Sequence, residues 1–355
     1  MRTADFDYEL PADLIAQTPI EPRDASRLMV VDRKSGQIIH RHFYDLPSLL
    51  QSGDRLVLNQ SRVLPARLFA LKPTGGEVEI LLLRQRTDGS WETLVRGKRT
   101  RVGLRLTLLK SQNGDPTDTH AEIIEAGDQG LRVLDFDRDI LSLAERFGTI
   151  PLPPYIHIPL VNGERYQTVY ARTPGSAAAP TAGLHFTPEL LLSLRDSGIE
   201  TSYVTLHVGL DTFRPVTEET LEDHRIHTEY CMLDSEEARL INQTKLAAHR
   251  IVAVGTTSVR ILEAAAQTAA GSASSDVACP LQTVVAYNGP TDLFIYPGFK
   301  FRAVDGLITN FHLPRSTLLM LVSAFAGKDL IDRAYAEAIQ QRYRFYSFGD
   351  AMIIL

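Results

Sequence analysis

The stretch EVEILLLRQRTDGSWETLVR, residues 77–96, decides how the middle of the chain is read. Glu77–Gln85 and Trp91–Arg96 are β-prone runs, and Asp88-Gly89-Ser90 between them is a turn signal. Working outward, Arg67–Leu71, Leu104–Lys110, Ala121–Glu125 and Leu131–Phe136 have the same character. Turn residues separate them at Thr74-Gly75-Gly76, Asn113-Gly114-Asp115-Pro116 and Gly127-Asp128. Six short strands punctuated in this way predict a small barrel or sandwich, and a piece of this length can close on itself.

The flanks are different. Met1–Asn59 and Pro151–Leu355 mix helices and strands. Ile251–Gly255 reads as a short buried strand, and Thr256-Thr257-Ser258 supplies capping hydroxyls for a helix to about Ala270. A loop of small residues, Gly271–Asp276, precedes a further expected strand, Gln282–Tyr287. Asp329–Arg342 has apolar residues near helical spacing. The simplest architecture is a mixed α/β (α+β) large domain, residues 1–60 and 150–355, with a small antiparallel β domain, residues 61–149, inserted in it. The Pro-rich Pro151–Pro154 would be the stiff return of the linker.

The 355 residues, 44% of them hydrophobic, exceed the length at which one core usually keeps growing and exclude wholesale disorder. The longest strongly apolar run, Leu318–Ala326, falls short of the roughly 18 residues of a membrane span. The first ten residues carry acids and no apolar core, so no secretory signal is expected there. Cys231 and Cys279 form no C-x-x-C pair, which argues against a disulfide framework and a cysteine zinc site. These features point to a soluble protein of the cytoplasm. A net charge of -6 argues against a generally basic nucleic-acid coat. Yet residues 84–110 hold eight Lys and Arg against two acids, a local excess of six. That segment is either a solvated strand face or an RNA face.

Three histidines sit in unusual settings. His185 ends the small-residue run Gly175–Leu184, just before Thr187 and Pro188 open a helix as its cap and first residue. Such an approach either presents backbone amides to a ligand or packs tightly under the helix. His207 lies in the alternating strand Val204–Gly209, on the face of Thr205, where a half-buried hydrogen-bonded role is expected. His312 and Asn310 alternate with Phe311 and Leu313, so they are expected to share a face as a strand ends at Pro314; Ser316 then caps an apolar helix. Polar groups at a strand end beside a helix start mark the ligand crevice of α/β folds. His224, His227 and Glu229 have ligand chemistry, but no His-Glu-x-x-His pattern supports zinc. Gly255-Thr256-Thr257 lacks a phosphate-loop lysine, and no G-x-G-x-x-G follows a strand.

Long ordered motifs run from end to end: Asp5–Pro11, Arg23–Leu28, Leu58–Val63, Pro65–Arg67, Pro151–Ile156, Glu164–Tyr170, Leu184–Thr187, Ala253–Thr257, Tyr296–Gly298, Thr309–Ser316, Tyr343–Phe345 and Gly349–Ala351. On these the chain resembles the S-adenosylmethionine:tRNA ribosyltransferase-isomerase family of queuosine biosynthesis. It departs from the family pattern at Asp211, often Gly, and Ile226, often Met, both outside the histidine motifs. The resemblance implies a mixed α/β domain with an inserted β-barrel. It also implies transfer and isomerisation of the ribosyl group of S-adenosylmethionine onto 7-aminomethyl-7-deazaguanine at the wobble position of a tRNA with a GUN anticodon. Epoxyqueuosine, adenine and methionine are the products, so S-adenosylmethionine is a consumed co-substrate, with no tightly bound cofactor, no metal, no membrane and a monomeric enzyme expected.

The chemistry so implied needs proton transfers at the attacking amine, at the ribose carbon beside the sulfonium and at the departing adenine. Histidine suits that work near neutral pH, so His185 and His312 are the expected acid/base groups and His207 a third. Arg27 and Arg260 are expected to hold an anion, the methionine carboxylate or a tRNA phosphate. Asn310, Thr256 and Thr257 are expected partners of ribose or adenine. Arg62, Arg67, Arg96, Lys98, Arg99 and Arg101 are the expected tRNA phosphate contacts. The competing readings are a non-catalytic tRNA-binding module and an S-adenosylmethionine-dependent tRNA methyltransferase.

Overall fold

The computed structural model describes residues 1–209, 216–226, 228–272 and 282–355. Asp211, His227 and Cys279 therefore lie outside the described residues. The chain divides into two compact units. One comprises Met1–Arg62, Pro153–Thr173 and Ala179–Leu355, and the other Val63–Leu152 and Pro174–Ala178.

The first unit is built on a nine-stranded sheet. Numbered along the chain, its strands are β1 (Arg27–Val31), β2 (Ile38–His42), β3 (Arg55–Asn59), β12 (Glu200–His207), β13 (Glu229–Leu233), β14 (Ile251–Val254), β15 (Tyr287–Thr291), β16 (Gly306–Asn310) and β17 (Ala351–Ile354). They lie in the order β15-β13-β12-β3-β14-β16-β17-β1-β2. The central strands β3, β14, β16 and β17 are buried at every residue, which is why they read as continuous apolar runs rather than alternating ones. Helices α1 (Leu46–Leu49), α3 (Pro188–Asp196), α4 (Ser235–Leu246), α5 (Thr256–Ser272), α6 (Thr317–Ala326) and α7 (Lys328–Gln340) belong to the same unit. Leu190 and Leu194 of α3 pack with Leu56 and Leu58 of β3, Val252 and Val254 of β14 and Phe186 in one core.

The second unit holds a closed six-stranded barrel, in the order β10-β7-β6-β5-β8-β9. Its strands are β5 (Arg67–Leu71), β6 (Glu77–Gln85), β7 (Trp91–Arg96), β8 (Arg105–Leu109), β9 (Pro116–Ala126) and β10 (Leu131–Phe136). All neighbours pair antiparallel. Leu68, Ala70, Ile80, Leu106, Leu108, Ile123 and Leu134 are wholly buried, as the alternating patterns of β5 and β7 require. Closure leaves no edge strand to aggregate. Helix α2 (Ile140–Phe147), capped by Asp139, follows the barrel. Two short strands, β4 (Ser61–Val63) and β11 (Thr173–Ser176), lie outside both sheets.

Two local expectations are corrected. The strand expected over Gln282–Tyr287 is instead Tyr287–Thr291. The Asn242 side chain explains the shift: its Oδ1 accepts from Thr283 N at 2.8 Å and Val284 N at 3.0 Å, and its Nδ2 donates to Val284 O at 2.8 Å. A side-chain amide thus satisfies the backbone that a ladder would otherwise use. Gly289 and Pro290 then sit in β15, where a proline is tolerated because β15 is an edge strand. Helix α5 begins at Thr256 without a capping hydroxyl before it; Gly255, at φ 87°, makes the turn.

Leu56 is fully buried at the centre of the core. Leu56→Ala should cost about 2–5 kcal/mol of stability, read as a lowered urea midpoint with unchanged slope. A loss below about 1 kcal/mol would mean that this core is not packed as described.

Candidate active site

Strand directions gather the polar residues of the first unit. β12, β3, β14 and β16 run parallel, so their carboxyl ends share one sheet edge. β17 runs antiparallel to β16 and parallel to β1, which brings the starts of β17 and β1 to the same edge. Asn59, His207, Thr256, Thr257, Asn310, Asp350, Ser26 and Arg27 therefore lie along one edge, where α/β sheets bind ligands. Asn59 ties it together. Its Oδ1 accepts from Leu206 N and Ser61 N, both at 3.1 Å, and its Nδ2 donates to Leu206 O at 3.0 Å and Thr257 Oγ1 at 3.3 Å.

His185 ends a tight turn, Thr181–His185, and is buried. The small residues before it serve close packing: a Cβ on Gly183 would stand 2.1 Å from Tyr170 Oη and 2.8 Å from Thr168 Cγ2. The imidazole stacks on Phe43 with ring centres 4.9 Å apart. Its Nδ1 is 2.7 Å from Ser26 Oγ, and its Nε2 is 3.1 Å from Asn310 Nδ2. That amide nitrogen also donates to Tyr346 O at 3.3 Å. An amide that donates to a carbonyl must present its NH2 there, so Nε2 is the acceptor and Nδ1 carries the proton to Ser26. Burial, with the charges of Arg344 and Arg23 adding to it, pushes His185 down to about 3. The ring is neutral at physiological pH. It forms part of the wall of a narrow cleft with about 20 Å³ of free space, with Pro19, Ile20, Arg23, Arg165, Leu184 and Ser347–Gly349.

The other expected groups are placed differently. β16 ends at Asn310, so His312 does not continue its alternation. His312 Nε2 lies 2.7 Å from Thr309 Oγ1, while Asn310 addresses His185. The two residues expected on one face thus have different partners. The backbone of His312 donates to Tyr335 Oη at 2.9 Å and accepts from Tyr8 Oη. Burial pushes its ring down to about 3 as well. His207 ends β12 half-buried and is lowered by burial; its Nδ1 has no hydrogen-bond partner among the described residues.

Both arginines expected to hold an anion are committed to the protein. Arg27 bonds Asp350 at 3.3 Å and Gln341 O at 2.8 Å and lies 4.0 Å over the Tyr343 ring. Arg260 is 5% exposed and pairs with buried Glu229, Thr291 O and Leu293 O. Thr256 is buried and Thr257 accepts from Asn59, so the second hydroxyl already has a structural partner. Sequence reasoning overlooked Ser26, Asn59 and Arg23, although each lies within one of the long ordered motifs. A polar residue closing an apolar strand was the available signal for Asn59.

Among the described residues no three or more His, Cys, Asp or Glu side chains stand together as a metal site. His224 Nδ1 instead meets Glu218 at 2.9 Å.

In the barrel unit the basic excess is partly neutralised by acids from other strands. Arg67 and Arg96 face Glu79 at 3.3 and 3.9 Å, and Arg86 faces Glu125 at 2.7 Å. In the first unit Arg62 pairs with Glu164. The β7–β8 loop is different. Lys98, Arg99 and Arg101 are exposed and make no ion pair among the described residues, while Thr100 between them is buried. Arg132 fixes the loop by donating to Thr100 O at 2.8 Å and Thr100 Oγ1 at 3.2 Å. Three cations are thus presented on a braced loop.

Comparison with known proteins agrees across the whole chain. Residues 3–354 match the family described as queuosine biosynthesis protein. The S-adenosylmethionine:tRNA ribosyltransferase-isomerases of Symbiobacterium thermophilum and Thermotoga maritima are 55% and 51% identical, each over 100% of both chains. The crystal structure of the Thermotoga maritima S-adenosylmethionine tRNA ribosyltransferase superposes with a TM-score of 0.55 at 42% identity, covering 99% of this chain and 100% of that one.

The neutral histidines have a consequence for stability. In the unfolded chain each takes a proton near 6.5, whereas in the fold each resists protonation to about 3. The stabilisation is complete above 6.5 and is lost as pH falls toward 3, by about 1.4 kcal/mol per pH unit for each ring. His185→Gln should flatten the stability profile between pH 6 and 4, measured by urea unfolding; an unchanged slope would mean His185 titrates normally.

Proposed function

From the premise that this chain belongs to the queuosine biosynthesis protein family, we propose that it transfers and isomerises the ribosyl group of S-adenosylmethionine onto tRNA. The acceptor is the aminomethyl group of 7-aminomethyl-7-deazaguanine at the wobble position of a GUN anticodon, and the products are epoxyqueuosine-tRNA, adenine and methionine. The observation that carries this reading is full-length identity above 50% with relatives bearing that activity in their names. The enzyme works as a cytoplasmic monomer and consumes S-adenosylmethionine without a metal or a resident cofactor.

The sheet edge supplies what such a reaction asks for. The sulfonium acidifies the adjoining ribose carbon, whose proton must pass to a base before the ring rearranges. The attacking ammonium must also lose a proton, and adenine leaves more easily when protonated. We assign the first proton transfer to His185, which lines the cleft and is already unprotonated. Its Nε2 lone pair becomes available when the Asn310 amide turns to the substrate. An anion bound among Arg23 and Arg344 would cancel part of the field that depresses the ring, making it a stronger base as substrate arrives. His312 supports this site from the strand end through Thr309, and His207 stands at the neighbouring strand end. Asn310, Thr256 and Thr257 face the nucleoside.

An anticodon-loop base can be splayed from its stack into a pocket, so docking rests on phosphate contacts. Lys98, Arg99 and Arg101 are the first candidates because no carboxylate pairs with them among the described residues, with Arg62, Arg67 and Arg96 contributing after exchange of their partners.

Incubation with tRNA bearing the aminomethyl base and S-adenosylmethionine, followed by mass spectrometry, should yield epoxyqueuosine with free adenine and methionine. A methylated nucleoside, or bound tRNA left unchanged, would overturn the reading in favour of a methyltransferase or a binding module. His185→Gln should lower turnover by about 10²–10⁴-fold with little change in tRNA affinity. Near wild-type turnover would remove His185 from the proton transfer. Reversing Arg99 and Arg101 to Glu should weaken tRNA binding and reduce its salt slope by about one for each phosphate no longer neutralised. Unchanged binding would place the RNA face elsewhere.

A further inference from the structure

The cleft beside His185 contains an arginine, Arg23, that feels Glu21 and Glu164 nearby but makes no ion pair with a carboxylate among the described residues. Arg23 donates from Nη1 to Gln167 O at 2.8 Å and Leu184 O at 3.2 Å, and from Nη2 to Glu164 O at 3.0 Å. All three partners are neutral carbonyls. No carboxylate lies within ion-pair distance of Arg23 among the described residues, although the guanidinium is half-buried. The second arginine in the cleft, Arg165, spends its charge on Glu21 at 3.0 Å and donates to Ile20 O at 2.6 Å. Taking a guanidinium partly out of water against carbonyls alone is costly unless an anion completes the site. The carbonyls fix the fork in place, leaving its charge to serve the cleft that Arg23 lines. Arg27 and Arg260 are unsuited to the task because each already holds an acid, Asp350 and Glu229.

We propose that Arg23 is the residue that binds the carboxylate of S-adenosylmethionine, in the cleft formed with Arg165, Leu184 and His185. The inference rests on the reaction proposed above and names the subsite of one of its substrates. A carboxylate is favoured over a tRNA phosphate because the cleft is narrow, with about 20 Å³ of free space, and is walled by apolar Pro19, Ile20, Leu184 and Phe348. A phosphate within a polynucleotide would bring its flanking sugars with it. Binding here places an anion beside an imidazole that burial keeps neutral, with the charges of Arg344 and Arg23 reinforcing the effect.

The test compares S-adenosylmethionine with its decarboxylated analogue, using modified tRNA and adenine release as the readout. Wild-type enzyme should lose about 10- to 100-fold in kcat/KM on the analogue, the scale of a hydrogen bond to a charged group. Arg23→Gln should lose a similar factor on S-adenosylmethionine and show no further loss on the analogue, and Arg23→Lys should recover part of the discrimination. The wild-type comparison needs no variant to fold. If wild type uses both compounds equally well, or if Arg23→Gln discriminates as wild type does, Arg23 does not hold the carboxylate. Retained discrimination together with weaker tRNA binding and a smaller salt slope would assign Arg23 to a phosphate instead and equally overturn the proposal. Absence of adenine release from S-adenosylmethionine by wild type would mean that the proposed reaction, rather than this subsite, has failed.

Discussion

The side chain of Asn59 carries the constraint on which the site depends. Where the β3–β12 ladder ends, its amide pairs with both the N–H and the C=O of Leu206 and reaches Thr257 at the start of α5. One buried amide therefore holds two parallel strand ends and a helix start in register. Without such a partner, the Leu206 N–H and C=O would be unpaired, and a buried unpaired polar group costs about 1–3 kcal/mol. Parallel direction does the rest: every strand that joins β3 in parallel adds its last residues to the same edge.

The edge is a low-dielectric place, and its electrostatics follow from that. His185 and His312 are kept neutral chiefly by burial, and for His185 the nearby arginines reinforce the effect. A histidine there is a neutral hydrogen-bonding group. Ser26 and Asn310 fix which ring nitrogen bears the proton, as an orienting partner does for a catalytic histidine. Arg23 makes no ion pair among the described residues, whereas Arg27 and Arg260 hold Asp350 and Glu229.

Much of this was legible from residue pattern. The barrel strands β5, β6, β7 and β10 coincide with runs set off by turn residues, because a strand buried on one face must alternate and its turns need Gly, Asn or Asp. Ser316 and Thr187 cap their helices as their positions suggest. What escaped was set by distant partners. β15 is hidden by its Gly289 and Pro290, and the Asn242 side chain takes up the backbone of Thr283 and Val284 before it. Arg260 reads as an anion-holding arginine, and its acidic partner Glu229, brought beneath it from β13, is not marked by local sequence. The separation of His312 from Asn310 depends on where β16 stops, and alternation along a sequence does not mark a strand's last residue. Long-range pairing, rather than local preference, decides such cases.

Where S-adenosylmethionine binds is the most direct test of the site. A crystal structure of the enzyme with the intact co-substrate should show its ribosyl group at the edge formed by the ends of β3, β14 and β16, with His185 in contact. Density elsewhere, with the cleft beside His185 left to solvent, would contradict the assignment of this edge as the site of reaction.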